Sequence, residues 1–189
     1  MRGWLADHWV TGALFMSGAL FALAPLFPGG AERVIFLAGP LYMAHQVEEH
    51  WGDRFRRFVN TRVFGGVEAL TVADVLWINL PGVWGINLAA LYAARLLAPG
   101  WGLAAIYLIG LNGLAHVAMA VRLRAYNPGL WSGVALFVPF GLLGLAIVPG
   151  TLAQHLFALA VALLVHGAIL VRVKHNAARG RPVPGGFSG

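Results

Sequence analysis

The stretch His45-Gln46-Val47-Glu48-Glu49-His50 places four ionisable side chains within six residues, directly after the apolar run from Val34 to Ala44. If that run is a helix that enters a membrane, His45 and Glu49 lie one turn apart on one face, with Glu48 beside them. Such side chains cost several kcal/mol inside a membrane unless they face the interior of a helix bundle and find partners there. The stretch therefore predicts a functional site inside a bundle of membrane helices.

The composition is that of an integral membrane protein. Of the 189 residues, 59% are hydrophobic and only 11% are charged, whereas soluble domains contain about 25% charged residues. The net charge is +6, but the basic residues lie between apolar runs and form no exposed basic face, so we expect no nucleic-acid partner. Cysteine is absent, which excludes disulfides, thiolate metal ligands and a cysteine nucleophile.

The hydropathy pattern predicts an all-α, polytopic bundle of about six transmembrane helices, with Pro40 kinking the second and Pro81 interrupting the third. We expect a single domain over residues 1–173 and a disordered basic tail over residues 174–189. The basic stretch over residues 53–62 is expected to lie on anionic lipid headgroups. The apolar segments cover approximately residues 9–27, 32–51, 71–96, 101–121, 133–148 and 151–171.

The positive charges are distributed unevenly over the predicted loops. With six spans, eleven Lys and Arg residues fall on the side of the termini and only two, Arg33 and Arg95, fall on the opposite side. Cytoplasmic loops are enriched in Lys and Arg, so both termini are predicted to be cytoplasmic. We expect a multi-pass protein of a bacterial cytoplasmic (inner) membrane.

Topology also predicts the depth of the polar side chains. His45, His116 and His166 each lie six residues before the cytoplasmic end of a predicted helix, which places all three about 9 Å inside that boundary. Three histidines from three helices at one depth favour a shared site over separate structural roles. The same layer, or the loop that closes it, also holds Asp74, Asn112 and Tyr126.

Two chemistries fit this layer. In the first, His45, Glu49, His116 and His166 hold a divalent metal, zinc or iron, because imidazole and carboxylate ligands suit both ions. Glu48 is then the general base, or the carboxylate that orients a ligand. In the second, there is no metal, and Glu49 and His45 form a proton-transfer pair.

Three motifs in this order resemble a membrane family named for its His-x-x-Glu-Glu motif. They are His45-Gln46-Val47-Glu48-Glu49, Asn112-Gly113-Leu114-Ala115-His116, and Tyr126-Asn127-Pro128-Gly129 followed by Ser132. The resemblance covers most of the chain, and it implies a site at these motifs without naming a reaction.

A looser likeness is to the emopamil-binding sterol isomerases, in which a His and a Glu one helical turn apart work with acidic and Asn residues. His45, Glu49, Asp74 and Asn112 are similar to that set by chemical type. This likeness implies a mechanism of acid–base isomerisation.

The sequence leaves several functions open. The first is a metal-dependent membrane hydrolase or oxidoreductase that acts on a lipid or other hydrophobic small molecule, with Asn112, Tyr126 and Asp74 positioning water or substrate. The second is a metal-free acid–base isomerase. The third is a proton-coupled membrane carrier, and the fourth is a structural subunit of a larger complex.

Overall fold

The computed structural model describes residues 2–183, and the regular secondary structure within that range is helical, as the composition predicts. Six long helices and one short helix organise these residues. They are α1 (Arg2–Leu23), α2 (Ala31–His50), the short α3 (Arg54–Phe58), α4 (Val72–Leu96), α5 (Leu103–Leu123), α6 (Leu130–Ile147) and α7 (Leu152–Ala178).

Five of the long helices have the length and apolar character needed to cross a membrane. Within residues 2–183 these are α1, α4, α5, α6 and α7. The sixth, α2, is also twenty residues long, but it carries Glu32, Arg33, Glu48 and Glu49 near its ends. The predicted helical bundle is therefore confirmed, and α2 is its polar member.

Helix α2 lies at the centre of the bundle, in contact with α1, α4, α5 and α6. Eleven of its side chains are buried, and they lie on several sides of the helix, whereas a surface helix buries a single stripe. The outer helices instead expose apolar side chains, such as Leu142 at 65% and Leu164 at 71%. The apolar helices thus enclose the polar one, as its charge predicts.

Helices α5 and α6 approach each other through small residues. A Cβ atom added at Gly141 would lie 3.0 Å from the Cα of Gly110, and one added at Gly113 would lie 2.8 Å from the Cβ of Phe137. Small residues allow such close contact between membrane helices. This packing places His116, one turn after Gly113, against the first turn of α6.

The two prolines that were predicted to distort helices behave differently. Around Pro81, α4 forms wide π-helical turns over Ile78–Trp84, which accommodate the loss of the hydrogen bond that the missing proline N–H would donate. In contrast, α2 continues through Pro40, whose carbonyl oxygen accepts a hydrogen bond of 2.8 Å from the Ser17 hydroxyl on α1.

The basic stretch after α2 is fixed to the bundle on one side. It forms α3 and a wide turn over Val59–Val63, where the fully buried Asn60 side chain bonds both the N–H and the carbonyl of Leu70, at 2.8 and 2.9 Å. Arg54 and Arg57 are exposed. Their contact with lipid headgroups stays a prediction.

The last helix extends beyond the predicted start of the disordered tail. Helix α7 continues to Ala178. Its last turns are fixed to the bundle because Asn176 is buried and its Nδ2 donates to the Ala69 carbonyl at 3.1 Å and to Asp74 at 2.8 Å. Further along, the N–H of Glu68 donates to the Arg181 carbonyl at 2.8 Å. The remainder of the predicted tail, residues 184–189, lies outside the described residues.

Candidate metal centre

Helices α2 and α5 bring two histidines and one carboxylate together. One ligand atom from each of His45, Glu49 and His116 lies within 4.8 Å of the other two. The Nε2 atoms of His45 and His116 each lie 3.5 Å from a different Glu49 oxygen, and the two rings meet edge to face with centroids 4.9 Å apart. All three side chains are buried, with exposures of 0%, 6% and 3%.

The chemistry and spacing of these donors fit a divalent metal. Two ligands that bind zinc tetrahedrally at about 2.1 Å are about 3.4 Å from each other, close to the two nitrogen–oxygen distances of 3.5 Å. The Nε2 atom of His45 is buried and has no hydrogen-bond partner among the described residues. The His45–Glu49–His116 cluster can therefore hold a metal ion.

The other ring nitrogen of each histidine is held by the loop between α5 and α6 or by the start of α6. Nδ1 of His45 lies 2.7 Å from the Ser132 hydroxyl, and Nδ1 of His116 lies 2.7 Å from Oδ1 of Asn127. Asn127 is fully buried, and its Nδ2 donates to the His116 carbonyl at 3.0 Å. Partners of this kind orient histidine ligands at metal sites.

Glu48 lies beside the cluster and caps the amino terminus of α6. Its carboxylate accepts hydrogen bonds from the N–H groups of Trp131 and Ser132 at 3.2 and 2.7 Å, from the Tyr126 hydroxyl at 3.0 Å, and from the Ser132 hydroxyl. The amino terminus of a helix favours a negative charge. Partial burial and the hydrogen bond to Glu48 raise the pKa of Tyr126.

Gly129 places backbone directly against both histidine rings. Its φ angle is +94°, and a Cβ atom at this position would lie 2.6 Å from Cε1 of His116 and 2.8 Å from Cε1 of His45. Only glycine accepts both the backbone conformation and the close contact. This explains the glycine in the Tyr-x-Pro-Gly motif.

His50 and Gln46 also belong to the site, although the sequence did not predict a role for either. Nε2 of His50 lies 3.0 Å from Glu49, and Gln46 bonds Asn79 at 2.8 Å and the Trp84 indole at 2.7 Å. The only sequence signal was their four-residue spacing, which places them on one face of α2. These contacts connect the candidate metal centre to α4.

Five of the predicted site residues lie outside the cluster: Glu48 and Tyr126, which bond each other beside it, and His166, Asp74 and Asn112. His166 is not among its members, and its Nδ1 bonds the Ala162 carbonyl of its own helix at 2.8 Å. Asp74 forms the capping box of α4 with Thr71, and it accepts a hydrogen bond of 2.9 Å from Arg172. Oδ1 of Asn112 is buried without a hydrogen-bond partner among the described residues. Their predicted roles in binding and catalysis stay predictions.

The comparisons identify a family and no relative of known function. Residues 36–144, more than half of the chain, match the family described as "Protein of unknown function with HXXEE motif". The matched range includes the three cluster residues and the loop that holds them. No curated protein and no solved structure matches the chain, so the likeness to sterol isomerases stays a prediction.

Proposed function

The chain belongs to the HXXEE family, which has no assigned reaction, and we propose that it is a membrane enzyme with a divalent metal at His45, Glu49 and His116. One observation carries the proposal: two Nε2 atoms and a carboxylate converge in a buried space, with His45 Nε2 otherwise unpartnered. Three acceptor groups that face one another in a buried space favour a cation between them.

The ligand set is compatible with two metals. Two histidines and one glutamate match the ligands of catalytic zinc sites, in which a fourth position stays open. Two histidines and one carboxylate are also the ligands of non-haem iron(II) oxygenases. A bound ion would supply Lewis acidity for hydrolysis or, as iron, redox chemistry. The proposed reaction class is accordingly hydrolase or oxidoreductase.

A lipid or another hydrophobic small molecule is the proposed substrate. An open groove of about 370 Å³ between α4 and α7 is compatible with this class, because Trp77, Ile78 and Ile169 line it and the Asp74–Arg172 ion pair borders it, although no cluster residue is among its lining residues. An apolar lining beside a polar group suits an amphiphile. In this proposal Asn112, with its unpartnered oxygen one turn from His116, binds substrate or water.

Glu48 and Tyr126 take supporting roles in the proposed mechanism. The Glu48 carboxylate already accepts four hydrogen bonds, so we assign it the orienting role that the sequence left open beside that of a general base. The exposed Tyr126 binds Glu48 from the protein surface.

A metal-free acid–base enzyme, such as an isomerase, is the second candidate. One observation favours it: Nε2 of His50 lies 3.0 Å from Glu49. A protonated His50 would neutralise Glu49 without a metal, and the pair would then exchange protons with a substrate.

Metal analysis of the detergent-purified protein separates the two candidates. We expect about one zinc or iron per chain in the wild type, because three buried donors converge on one position. The metal content should fall below about a tenth of that in His45→Ala, Glu49→Gln and His116→Ala, since each removes one of three ligands. Plasma mass spectrometry measures the metal, and circular dichroism confirms that each variant is folded.

Two further histidines serve as controls for the metal analysis. His155→Ala removes a histidine near the start of α7 that bonds the Tyr107 hydroxyl of α5, and it should retain the metal. His166→Ala tests the predicted fourth ligand. If His45, Glu49 and His116 are the complete ligand set, this variant should also retain the metal. A folded wild type that stays metal-free after incubation with Zn²⁺ or Fe²⁺ would exclude the metal enzyme and leave the acid–base enzyme.

A further inference from the structure

The residues that hold the two histidines do more than fill space around them. We infer that Asn127 and the Ser132–Glu48 pair are positioning residues, which keep His45 and His116 in the tautomer with the proton on Nδ1. Both Nε2 lone pairs then face Glu49. The inference rests on the proposed metal site, and it assigns roles to residues outside the ligand set.

The Asn127 amide determines the tautomer of His116. Nδ2 of Asn127 donates to the His116 carbonyl at 3.0 Å, which fixes the orientation of the amide and turns Oδ1 towards Nδ1 of His116, 2.7 Å away. A flipped amide would set two oxygens against each other. Because an amide oxygen only accepts, Nδ1 of His116 must carry the proton.

The Ser132 hydroxyl determines the tautomer of His45. The Ser132 hydroxyl has one hydrogen, and its oxygen contacts both the Glu48 carboxylate and Nδ1 of His45. Glu48 also accepts from Tyr126 and from the N–H groups of Trp131 and Ser132, which favours the ionised, accepting form. The hydroxyl therefore donates to Glu48 and accepts from Nδ1 of His45.

The two chains of hydrogen bonds have the same outcome at the cluster. With both protons on Nδ1, the two Nε2 atoms are neutral acceptors, each 3.5 Å from a Glu49 oxygen. In the opposite tautomer, an N–H group would occupy the position of the ion. Removal of outer partners of this kind lowers metal affinity by about 10- to 100-fold.

The tautomers are measurable in the wild-type protein without metal. Protein with ¹⁵N-labelled histidine, stripped of metal by a chelator in detergent, is measured about two pH units above the ordinary histidine pKa, where imidazoles are neutral. Nitrogen shifts distinguish protonated from unprotonated ring nitrogens, and the resonances that disappear in His45→Gln and His116→Gln identify the two rings among the seven histidines. We expect Nδ1–H in both, and Nε2–H in either ring would overturn the inference for that ring.

Variants of the two partners test whether the tautomer matters for metal. Asn127→Leu and Ser132→Ala remove the acceptors, and the affinity for Zn²⁺, measured by chelator competition, should fall about 10- to 100-fold. Ser132→Thr keeps the hydroxyl and should restore the affinity. Asn127→Asp keeps an acceptor for Nδ1 but loses the donor to the His116 carbonyl, so stability should fall while affinity is retained. A wild-type affinity for Zn²⁺ in Asn127→Leu and Ser132→Ala would overturn the positioning role.

Two matched controls separate positioning from general loss of stability. Asn60→Leu and Ser17→Ala also remove buried hydrogen-bonding side chains, from the turn after α3 and from the contact with α2 at Pro40. Both should lower stability and leave Zn²⁺ affinity unchanged. If the wild type shows Nδ1–H in both rings and binds no metal, the proposed metal enzyme fails while the tautomer assignment is supported.

Discussion

At the scale of single residues, Gly129 restricts two candidate metal ligands without having a side chain. It brings backbone to within contact distance of both imidazole rings, and its positive φ angle turns the chain from the loop into α6. The loop therefore has little freedom beside the cluster. A substitution at this one position acts on both histidines at once.

Gly129→Ala is expected to lower both stability and metal affinity. The left-handed conformation alone costs about 1–2 kcal/mol for a residue with a Cβ atom, and the overpacking against His116 and His45 adds about 1–3 kcal/mol. Unfolding in sodium dodecyl sulfate measures the stability, and chelator competition measures the affinity.

The matched control for this prediction is Gly66→Ala. Gly66 has nearly the same φ angle, +95°, but a Cβ atom there would meet nothing within 4 Å. It should show the conformational cost alone, with normal Zn²⁺ affinity. Equal losses in Gly66→Ala and Gly129→Ala would mean that the contact with the rings is unimportant.

The sequence predicted the three residues that converge, and Ser132 as part of a motif, but it could not predict Asn127 as a partner of His116. His45, Glu49 and His116 follow from helical spacing and from depth, because both depend only on position along a helix. The rotation of a helix about its axis depends on packing, which is why the sequence could not decide whether His166 joins them. Asn127 reaches His116 by the folding of a loop, and no spacing rule describes that contact.

At the scale of helices, the position of the end of α7 depends on one buried side-chain amide, that of Asn176. Asn176→Ala leaves the Ala69 carbonyl and the Asp74 carboxylate without this donor, which should cost about 1–3 kcal/mol. The neighbouring His175 is exposed, so His175→Ala should change stability by no more than about 0.5 kcal/mol. Unfolding in sodium dodecyl sulfate compares the two, and equal effects would show that the last turns of α7 contribute nothing to the bundle.

Helix existence was predictable, whereas two helix starts were not. Helix α6 begins at Leu130, three residues before the predicted start, because Glu48 of α2 satisfies the N–H groups of its first turn. A capping residue that comes from another helix leaves no local signal in the sequence. Helix α1 begins at Arg2 rather than near residue 9. The sequence did not predict this start because Asp7 and His8 interrupt the apolar pattern.

At the scale of the whole molecule, composition was enough to predict a membrane bundle. Length and hydropathy alone were enough to identify the apolar helices from the sequence. The central place of α2 followed from its charges, because a helix with two adjacent glutamates is stable in a membrane only when other helices cover it.

The number of spans determines where the termini lie. Helix α2 has twenty residues and a length of about 30 Å, enough to cross the hydrocarbon core. If it spans, the total of six places both termini on one side, and the Lys and Arg distribution predicts the cytoplasmic side. Reporter fusions at each terminus should then both report the cytoplasm. Opposite locations would show that only the five apolar helices cross.

The Glu48 contact to α6 has a consequence for the synthesis of the protein. Glu48 and Ser132 are 84 residues apart, which a ribosome translates in about 4 to 17 s at roughly 5–20 residues per second. During this interval α2 has emerged from the exit tunnel, while the amides and hydroxyl that Glu48 needs do not yet exist. We therefore expect α2 to stay in a hydrated or protein-lined position until α5 and the turn after it arrive. The final placement of α2 would then be a late step of assembly, although this helix is among the first to be translated.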